Sequence, residues 1–372
     1  MLIGVPKEIK VHEYRVGLSS SSVRELSHHG HTIYVQAGAG LGIGIDDQAY
    51  QSAGATIIDS AEEVFAKAEM IVKVKEPQVN ECKMLREGQL LFTYLHLAPD
   101  PEQTKGLIDS GCTAIAYETV TDSSGGLPLL APMSEVAGRM SIQAGASALE
   151  KEKGGRGMLL GGVPGVLPAK VVVIGGGVSG THSAQMAVGM GADVTIVERS
   201  LKRMRQLEEI FNGSVKTVYS TVDALEALLP SADLVVGAVL VPGAAAPKLI
   251  NREMLRQMQD GAVVVDIAID QGGCLETSRP TTHSDPTYIE EGVVHYCVAN
   301  MPGAVARTSA LALNNATLPF TLALAGKGWR KALADDPHLQ NGLNIHAGNV
   351  TYEAVAKEQG LDYLPTSEAM RI

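Results

Sequence analysis

Residues 169–198 read AKVVVIGGGVSGTHSAQMAVGMGADVTIVE, and this stretch decides the fold class. Val171 to Ile174 is an apolar run of strand character. Gly175, Gly177 and Gly180 then satisfy GxGxxG spacing, Thr181 to Met190 carries small residues suited to a helix lying close on a sheet, and Ala192 to Val197 forms a second strand ending at Glu198. An isolated GxGxxG is often only a glycine-rich turn. Here strand, turn, helix and strand follow in order, as a dinucleotide-binding βαβ unit requires. Gly175 then permits the tight turn, Gly177 lets a pyrophosphate approach the backbone, and Gly180 lets helix and sheet pack closely, with the phosphate at the helix N-terminus. Glu198 lies 23 residues after Gly175, where a carboxylate accepts from both adenosine-ribose hydroxyls. A 2'-phosphate would meet like charge there. NAD is therefore favoured over NADP, with Arg199, Arg203 and Arg205 near enough in sequence to temper the repulsion.

Outward from this unit the alternation of strand and helix continues in both directions. Towards the N terminus, strands are expected at Leu2 to Val5, Thr32 to Val35, Met70 to Lys75, Gly88 to His96 and in the run ending at Glu118. Helical spacing separates them at Ser21 to His29, Asp59 to Ala68 and after Pro101, with Gly111 as terminator. Met133 to Lys153 has helical spacing, and the glycine- and proline-rich loop after it marks an internal boundary. Beyond Glu198, ADLVVGAV, GAVVVDIAID and GVVHYCVANMPG read as strands, with Leu249 to Gln259 helical between the first two. In a doubly wound sheet the carboxyl ends of such strands face ligand, which selects Val239, Leu240, Ile267, Ala268, Ile269, Asp270, Val298, Ala299, Asn300 and Met301. Ala304 to Lys327 is mostly helical, with Pro319 expected to kink or divide it. The fold class is α/β with a largely parallel sheet.

Composition narrows the function. A chain of 372 residues is long enough for about two domains. Its 40 glycines exceed the usual share of roughly 7% and imply tight turns and close backbone approaches. A net charge of −11 argues against a nucleic-acid partner. Cys82, Cys112, Cys274 and Cys297 are scattered without CxxC spacing, so neither a zinc knuckle nor a disulfide framework is indicated and no metal is expected. No signal-peptide pattern opens the chain, and no unbroken apolar run has transmembrane length. A cytoplasmic protein without a membrane partner is expected.

Outside the glycine loop, two polar clusters could carry chemistry. Glu8, Glu13 and Arg15 follow the opening strand, and Lys75 and His96 each stand at a strand end. Each has a plain alternative: Lys75 as a solvated strand-end or edge lysine, His96 as a satisfied or exposed histidine, Asp270 as a cap of the QGG turn. Lys73 is expected on the same strand face as Lys75, but away from the carboxyl end, and to pair with an acid or extend its ammonium to water. Joined to a nucleotide fold, Lys75, His96 and Asp270 suggest substrate chemistry at a cleft.

The motifs GVPKEIKVHEYRV, VKVKEP, LFTYLHLAPD, VVVIGGGVSGTHSAQMAVGMGADVTIVE, VVDIAIDQGG, NMPGAV and NNATLPF occur in the order found in the L-alanine dehydrogenase family, which the chain resembles from its first residues to near its C terminus. Proton-translocating nicotinamide transhydrogenases share part of the pattern. The resemblance implies two Rossmann-like doubly wound domains with a cofactor and substrate cleft between them. Residues 1–129 and 307–372 would form a discontinuous substrate domain and 130–306 the NAD domain. It further implies that Arg15 binds the substrate carboxylate, Lys75 contacts the carboxylate or carbonyl side, His96 is the principal acid–base residue, and Asp270 assists water and imine chemistry. On the cofactor side it adds Ser134, Val178, Ser179, Arg203, Ser220 and Arg279 to the residues already named. The implied reaction is reversible NAD-dependent oxidative deamination of L-alanine to pyruvate and ammonium, in a homo-oligomer, commonly a hexamer. The chain departs from the family at Ser19 to Ser22 and at Ala306, where proline is common, and at Glu198, where aspartate is frequent; the two proline losses relax the backbone. Two alternatives stay open: another small 2-oxo acid as substrate, or a transhydrogenase-like NAD-binding subunit serving a membrane partner.

Overall fold

The computed structural model describes residues 1–239 and 246–371, so Leu240 lies outside the described residues. Two units emerge: Met1–Met133 with Val305–Ile372, and Ser134–Ala304. In chain order the strands are β1 (Leu2–Val5), β2 (Thr32–Gln36), β3 (Thr56–Ile58), β4 (Met70–Val72), β5 (Leu90–Thr93), β6 (Thr113–Ala116) and β7 (Lys170–Ile174). They continue with β8 (Asp193–Glu198), β9 (Lys216–Tyr219), β10 (Leu234–Gly237), β11 (Val263–Asp266), β12 (Thr287–Glu290), β13 (Val293–Tyr296), β14 (Leu343–His346) and β15 (Asn349–Val350).

Among the described residues, the first unit holds one sheet in the order β15-β14-β6-β5-β4-β1-β2-β3 and the second holds one in the order β12-β13-β11-β10-β7-β8-β9. The first sheet is parallel from β3 to β6, with β14 and β15 added antiparallel. The second is parallel except for the β12–β13 pair. In each sheet the first strand starts near the middle, two strands follow to one side, and the chain then crosses to build the other side. That reversal creates a topological switch point, between β1 and β4 in one unit and between β7 and β10 in the other. Ligands of open α/β sheets bind at the carboxyl ends of strands there.

Burial on both faces explains why the strands read as continuous apolar runs. Along β7, Val171 and Val173 enter a core with Ile196, Val236, Val265, Ala184 and Ala187. The alternating Val172 and Ile174 enter a second core with Val197, Val235, Val264, Ile250 and Leu255. Helices begin where the sequence offers caps: the Ser19 side chain accepts from the Ser22 amide before Ser20–His28, and Asp100 caps Pro101–Ser110, which ends at Gly111 with φ +68°.

Several expectations are corrected. The strand expected to reach Lys75 stops at Val72, and the one expected to reach His96 stops at Thr93. The helix expected over Leu249 to Gln259 spans only Arg252–Arg256, and that expected over Met133 to Lys153 is Ala131–Ala148. Helix Ala306–Lys327 runs undivided through Pro319. Pro319 and Asn315, whose carbonyl loses its helical partner, both face solvent, so water can satisfy the freed group while the buried face holds the helix together. Strands β3, β9, β12, β14 and β15 were not anticipated. No helix among the described residues is long and apolar enough to cross a membrane.

Candidate active site

At the switch point of the first unit, the chain leaves β1 into a loop carrying Glu8, Glu13 and Arg15, and leaves neighbouring β4 into Lys73, Val74 and Lys75. Arg15 is 2% exposed. Its Nε donates to Glu13 Oε1 and its Nη2 to Glu13 Oε2, both at 2.6 Å, and Nη1 meets Met133 Sδ at 3.0 Å. Burial pushes the Glu13 carboxyl up, but the hydrogen bonds and charge of Arg15 outweigh it and hold Glu13 below the usual carboxylate range. Lys75 is half-buried. Burial, and then the Arg15 guanidinium, lower its ammonium below the ordinary lysine range. Two cations are thus held near one another, as a planar anion with a neighbouring carbonyl requires.

Lys73 takes the other course. It is wholly buried, and its Nζ donates to Glu8 Oε2 at 3.0 Å and to Glu81 Oε1 at 2.8 Å. Pairing with an acid is found; extension to water is not. Strand alternation does not relate Lys73 to Lys75, because β4 has ended before either.

His96 follows β5 and is 46% exposed in its side chain. Its φ is +49°, the left-handed region that a residue with a Cβ adopts at a cost. Glu118, beyond the adjacent β6, accepts the His96 amide at 2.6 Å and the Leu95 amide at 3.2 Å, with Oε1 3.9 Å from His96 Nδ1. The ring stacks on Tyr94 with centroids 5.7 Å apart and planes 8° from parallel. Tyr94 is buried, donates to the Leu129 carbonyl, and lies close enough to Arg15 for the phenol and the guanidinium to be electrostatically coupled. Arg15, Lys75, Tyr94 and His96 therefore form one connected neighbourhood. Glu118 and Tyr94 escaped the sequence reading, although LFTYLH contains the tyrosine beside the histidine.

In the second unit the candidate cofactor residues collect at strand ends. Gly175 follows β7 with φ +97°, and a Cβ there would lie 2.8 Å from the Ala238 carbonyl oxygen. At Gly180 a Cβ would fall 1.8 Å from the Gly175 oxygen, so helix Val178–Gly189 touches the loop backbone. At Gly177 it would meet nothing within 4 Å, and the helix has no side-chain cap. Open space over uncapped amides suits a pyrophosphate. Glu198 ends β8; its Oε2 accepts the Gly176 amide and its Oε1 the Arg199 and Ser200 amides, each at 2.8 Å. A carboxylate has about four lone-pair sites, so room for a ribose hydroxyl remains on Oε2, rather than for both hydroxyls equally. Arg203 donates to the Gly176 carbonyl at 2.7 Å and to Thr181 Oγ1 at 2.8 Å, gripping the same loop residue from its other side.

Val239 follows β10, Ile267 to Asp270 follow β11, Val298 to Met301 follow β13, and Ser220 follows β9 with its amide on the Glu198 carbonyl. Val178 and Ser179 open the helix. Ser134 stands one turn before Gly138, whose Cβ would lie 2.2 Å from the Ser179 oxygen, so the glycine-loop helix passes beside that face. Arg279 lies between β11 and β12 with its guanidinium 3.8 Å over the Tyr288 ring. Asp270 is exposed in the short turn Ile267–Gln271. The cap of that turn is the buried Asp266, which accepts from Ala268, Cys274 and Ser278, so Asp270 is not the structural cap. Among the described residues no three His, Cys, Asp or Glu side chains are grouped to hold a metal ion. The four cysteines are buried free thiols.

Residues 4–137 match the family described as Alanine dehydrogenase/PNT, N-terminal domain, and residues 141–353 match Alanine dehydrogenase/PNT, C-terminal domain. The chain is 61% identical over 364 residues to the alanine dehydrogenase of Halomonas elongata, covering 98% of each. It is 55% identical over 372 residues to that of Bacillus subtilis, covering 100% of this chain and 98% of the relative. A solved L-alanine dehydrogenase superposes with a TM-score of 0.94 at 52% identity, covering 97% of this chain and 99% of the other. A transhydrogenase from Sinorhizobium meliloti superposes with a TM-score of 0.83 at 24% identity, covering 94% and 100%, which shows a shared fold.

Proposed function

The chain belongs to the alanine dehydrogenase/PNT family, and we infer that it is an NAD-dependent oxidoreductase interconverting L-alanine with pyruvate and ammonium. The observation that carries this reading is the pairing of Arg15 and Lys75 at the β1–β4 switch point with His96 one strand further on. Cofactor binding alone gives no reason for that trio.

NAD+, when bound, supplies the hydride acceptor for the substrate α-carbon. Around it the protein's own groups hold substrate and move protons. Glu13 engages Nε and Nη2 of Arg15, fixing the plane of the guanidinium, and the edge that meets the Met133 thioether is the one that takes the substrate carboxylate. A thioether is a weak acceptor, so exchanging it for a carboxylate is favourable. Lys75 donates to the oxygen-bearing end of pyruvate, and its lowered proton affinity makes that donation easier. His96 removes the proton from the substrate ammonium, because only the free amine can stabilise the iminium left after hydride loss. It then exchanges protons with the water that adds and the ammonia that leaves. Asp270 balances the iminium charge and orients water.

On the cofactor side we assign Gly175, Gly177, Val178, Ser179 and Gly180 to the pyrophosphate, Glu198 to the adenosine ribose, and Arg203 to holding the glycine loop. Ser134, Ser220, Val239, Leu240, Ile267 to Asp270, Arg279 and Val298 to Met301 complete the NAD contacts. The domain boundaries at residues 129 and 307 belong to the same reading. We also read the protein as cytoplasmic and as a homo-oligomer, a hexamer; exposed Leu159, Val163, Val166 and Leu167 offer an apolar surface for self-association.

The reading is tested by NADH oxidation with pyruvate, with and without ammonium. Strict dependence on ammonium is expected, whereas equal turnover without it would mean a 2-hydroxy-acid dehydrogenase. His96→Ala is expected to lose about 100- to 10,000-fold in turnover with NADH binding retained.

A further inference from the structure

Three ionic residues beside the site have no part in the chemistry above. Lys73 is wholly buried between Glu8 and Glu81, which are 7% and 1% exposed. Apolar side chains of the same volume would avoid the desolvation of three charges and often stabilise as well or better. The ions need another account, and the hydrogen bonds of Glu8 supply it. While Oε2 of Glu8 holds the Lys73 ammonium, Oε1 accepts the backbone amides of Val74 at 2.7 Å and Lys75 at 3.3 Å. Glu8 belongs to the loop that carries Arg15. That loop meets the end of β4 in two further places. A Cβ on Gly17 would lie 2.3 Å from the Val72 carbonyl oxygen, so the two backbones are in direct contact, and Lys10 pairs with Glu76.

We propose that Glu8, anchored by the buried Lys73, is a positioning residue that fixes the Lys75 segment relative to Arg15 and so sets the spacing of the two cations that hold substrate. This rests on the reading of Arg15 and Lys75 as substrate-binding residues. The need for it is electrostatic. Lys75 and Arg15 repel one another, and a segment ending in a repelled ammonium drifts unless its backbone is held by an acceptor that cannot move. An anionic acceptor, itself pinned by a buried cation, meets that requirement. Glu81 differs in kind: beyond Lys73 it accepts the Gln78 amide, at 2.8 Å, while among the described residues the Val74 and Lys75 amides go to Glu8.

Glu8→Ala and Glu81→Ala each deprive Lys73 of one carboxylate, but only the first releases the Val74 and Lys75 amides. Each variant is assayed for pyruvate KM and kcat at saturating ammonium, NADH affinity and thermal midpoint. Glu8→Ala is expected to raise pyruvate KM about ten-fold or more while kcat falls less than about three-fold and NADH affinity holds. Glu81→Ala, with a comparable loss of thermal stability, is expected to stay within about two-fold in KM. An equal rise in both variants, or none in Glu8→Ala, overturns the proposal. If Glu8→Ala does not fold, Glu8→Gln replaces it: a rise of about three-fold or more is expected because the acceptor loses its charge, and an unchanged KM overturns the proposal. Lys75→Met is run alongside. Unchanged kinetics there would defeat the substrate role of Lys75, whereas a crippled Lys75→Met beside an unaffected Glu8→Ala defeats only the positioning role.

Discussion

Lys75 is maintained as a cation where burial and the Arg15 guanidinium both disfavour it. A group whose folded-state pKa lies below its unfolded value of 10.5 costs stability at neutral pH, and the cost is relieved as pH rises from the folded value towards 10.5. Lys75→Met is therefore expected to raise the thermal midpoint at pH 7 while lowering turnover about 100-fold, and the stability gain should shrink in alkaline buffer. Scanning calorimetry at two pH values beside an activity assay checks both. Glu13 has the opposite sign: its lowered pKa contributes stability that is present above 4.5 and lost as pH falls through the folded value. Glu13→Gln leaves the Arg15 guanidinium buried without its anion and is expected to cost about 3–5 kcal/mol in denaturant unfolding. At this scale Arg15, Lys75 and His96 were legible because each follows a strand that the hydrophobic pattern marks. Glu118 and the partners of Lys73 were not, since they meet their targets only after separate strands have aligned side by side.

The glycine loop was the most legible element because its requirements are local. Its glycines nevertheless do different work. Gly180→Ala puts a Cβ 1.8 Å from the Gly175 oxygen and is expected to destabilise the second unit by about 1–3 kcal/mol or more. A Cβ at Gly177 meets nothing within 4 Å, so Gly177→Ala should leave the thermal midpoint unchanged while weakening NADH binding about ten-fold. Fluorescence titration and thermal denaturation separate the two. Elements that depend on distant partners carry a weak local signal. β3 and β15 are too short to show a period, and β14 exists as a strand because β6 is there to receive it. Lys73 and Lys75 share no strand face, because β4 stops at Val72 and strand alternation ends with it.

At the scale of the whole molecule, two dissimilar stretches of sequence arrive at the same central strand order and place their polar groups at equivalent positions in their sheets. The continuous apolar strands were visible; composition marked a boundary only in the loop after Lys153, which lies inside the second unit, and both the division near residue 133 and the return of residues 305–372 to the first unit depended on resemblance, because no local pattern announces which sheet a late strand joins. NADH binds only folded protein, so at a hundred times its Kd it is expected to stabilise by about 2.7 kcal/mol, read as a concentration-dependent thermal midpoint. The return of the chain also orders its manufacture. Strand β6 is complete at Ala116, yet its antiparallel neighbour begins at Leu343, after the whole second unit has been synthesised. Throughout that interval β6 offers a bare backbone edge to any other extended chain. Nascent molecules would thus carry a finished dinucleotide fold joined to an adhesive half-sheet until β14, synthesised after the second unit, pairs with β6 and closes that edge.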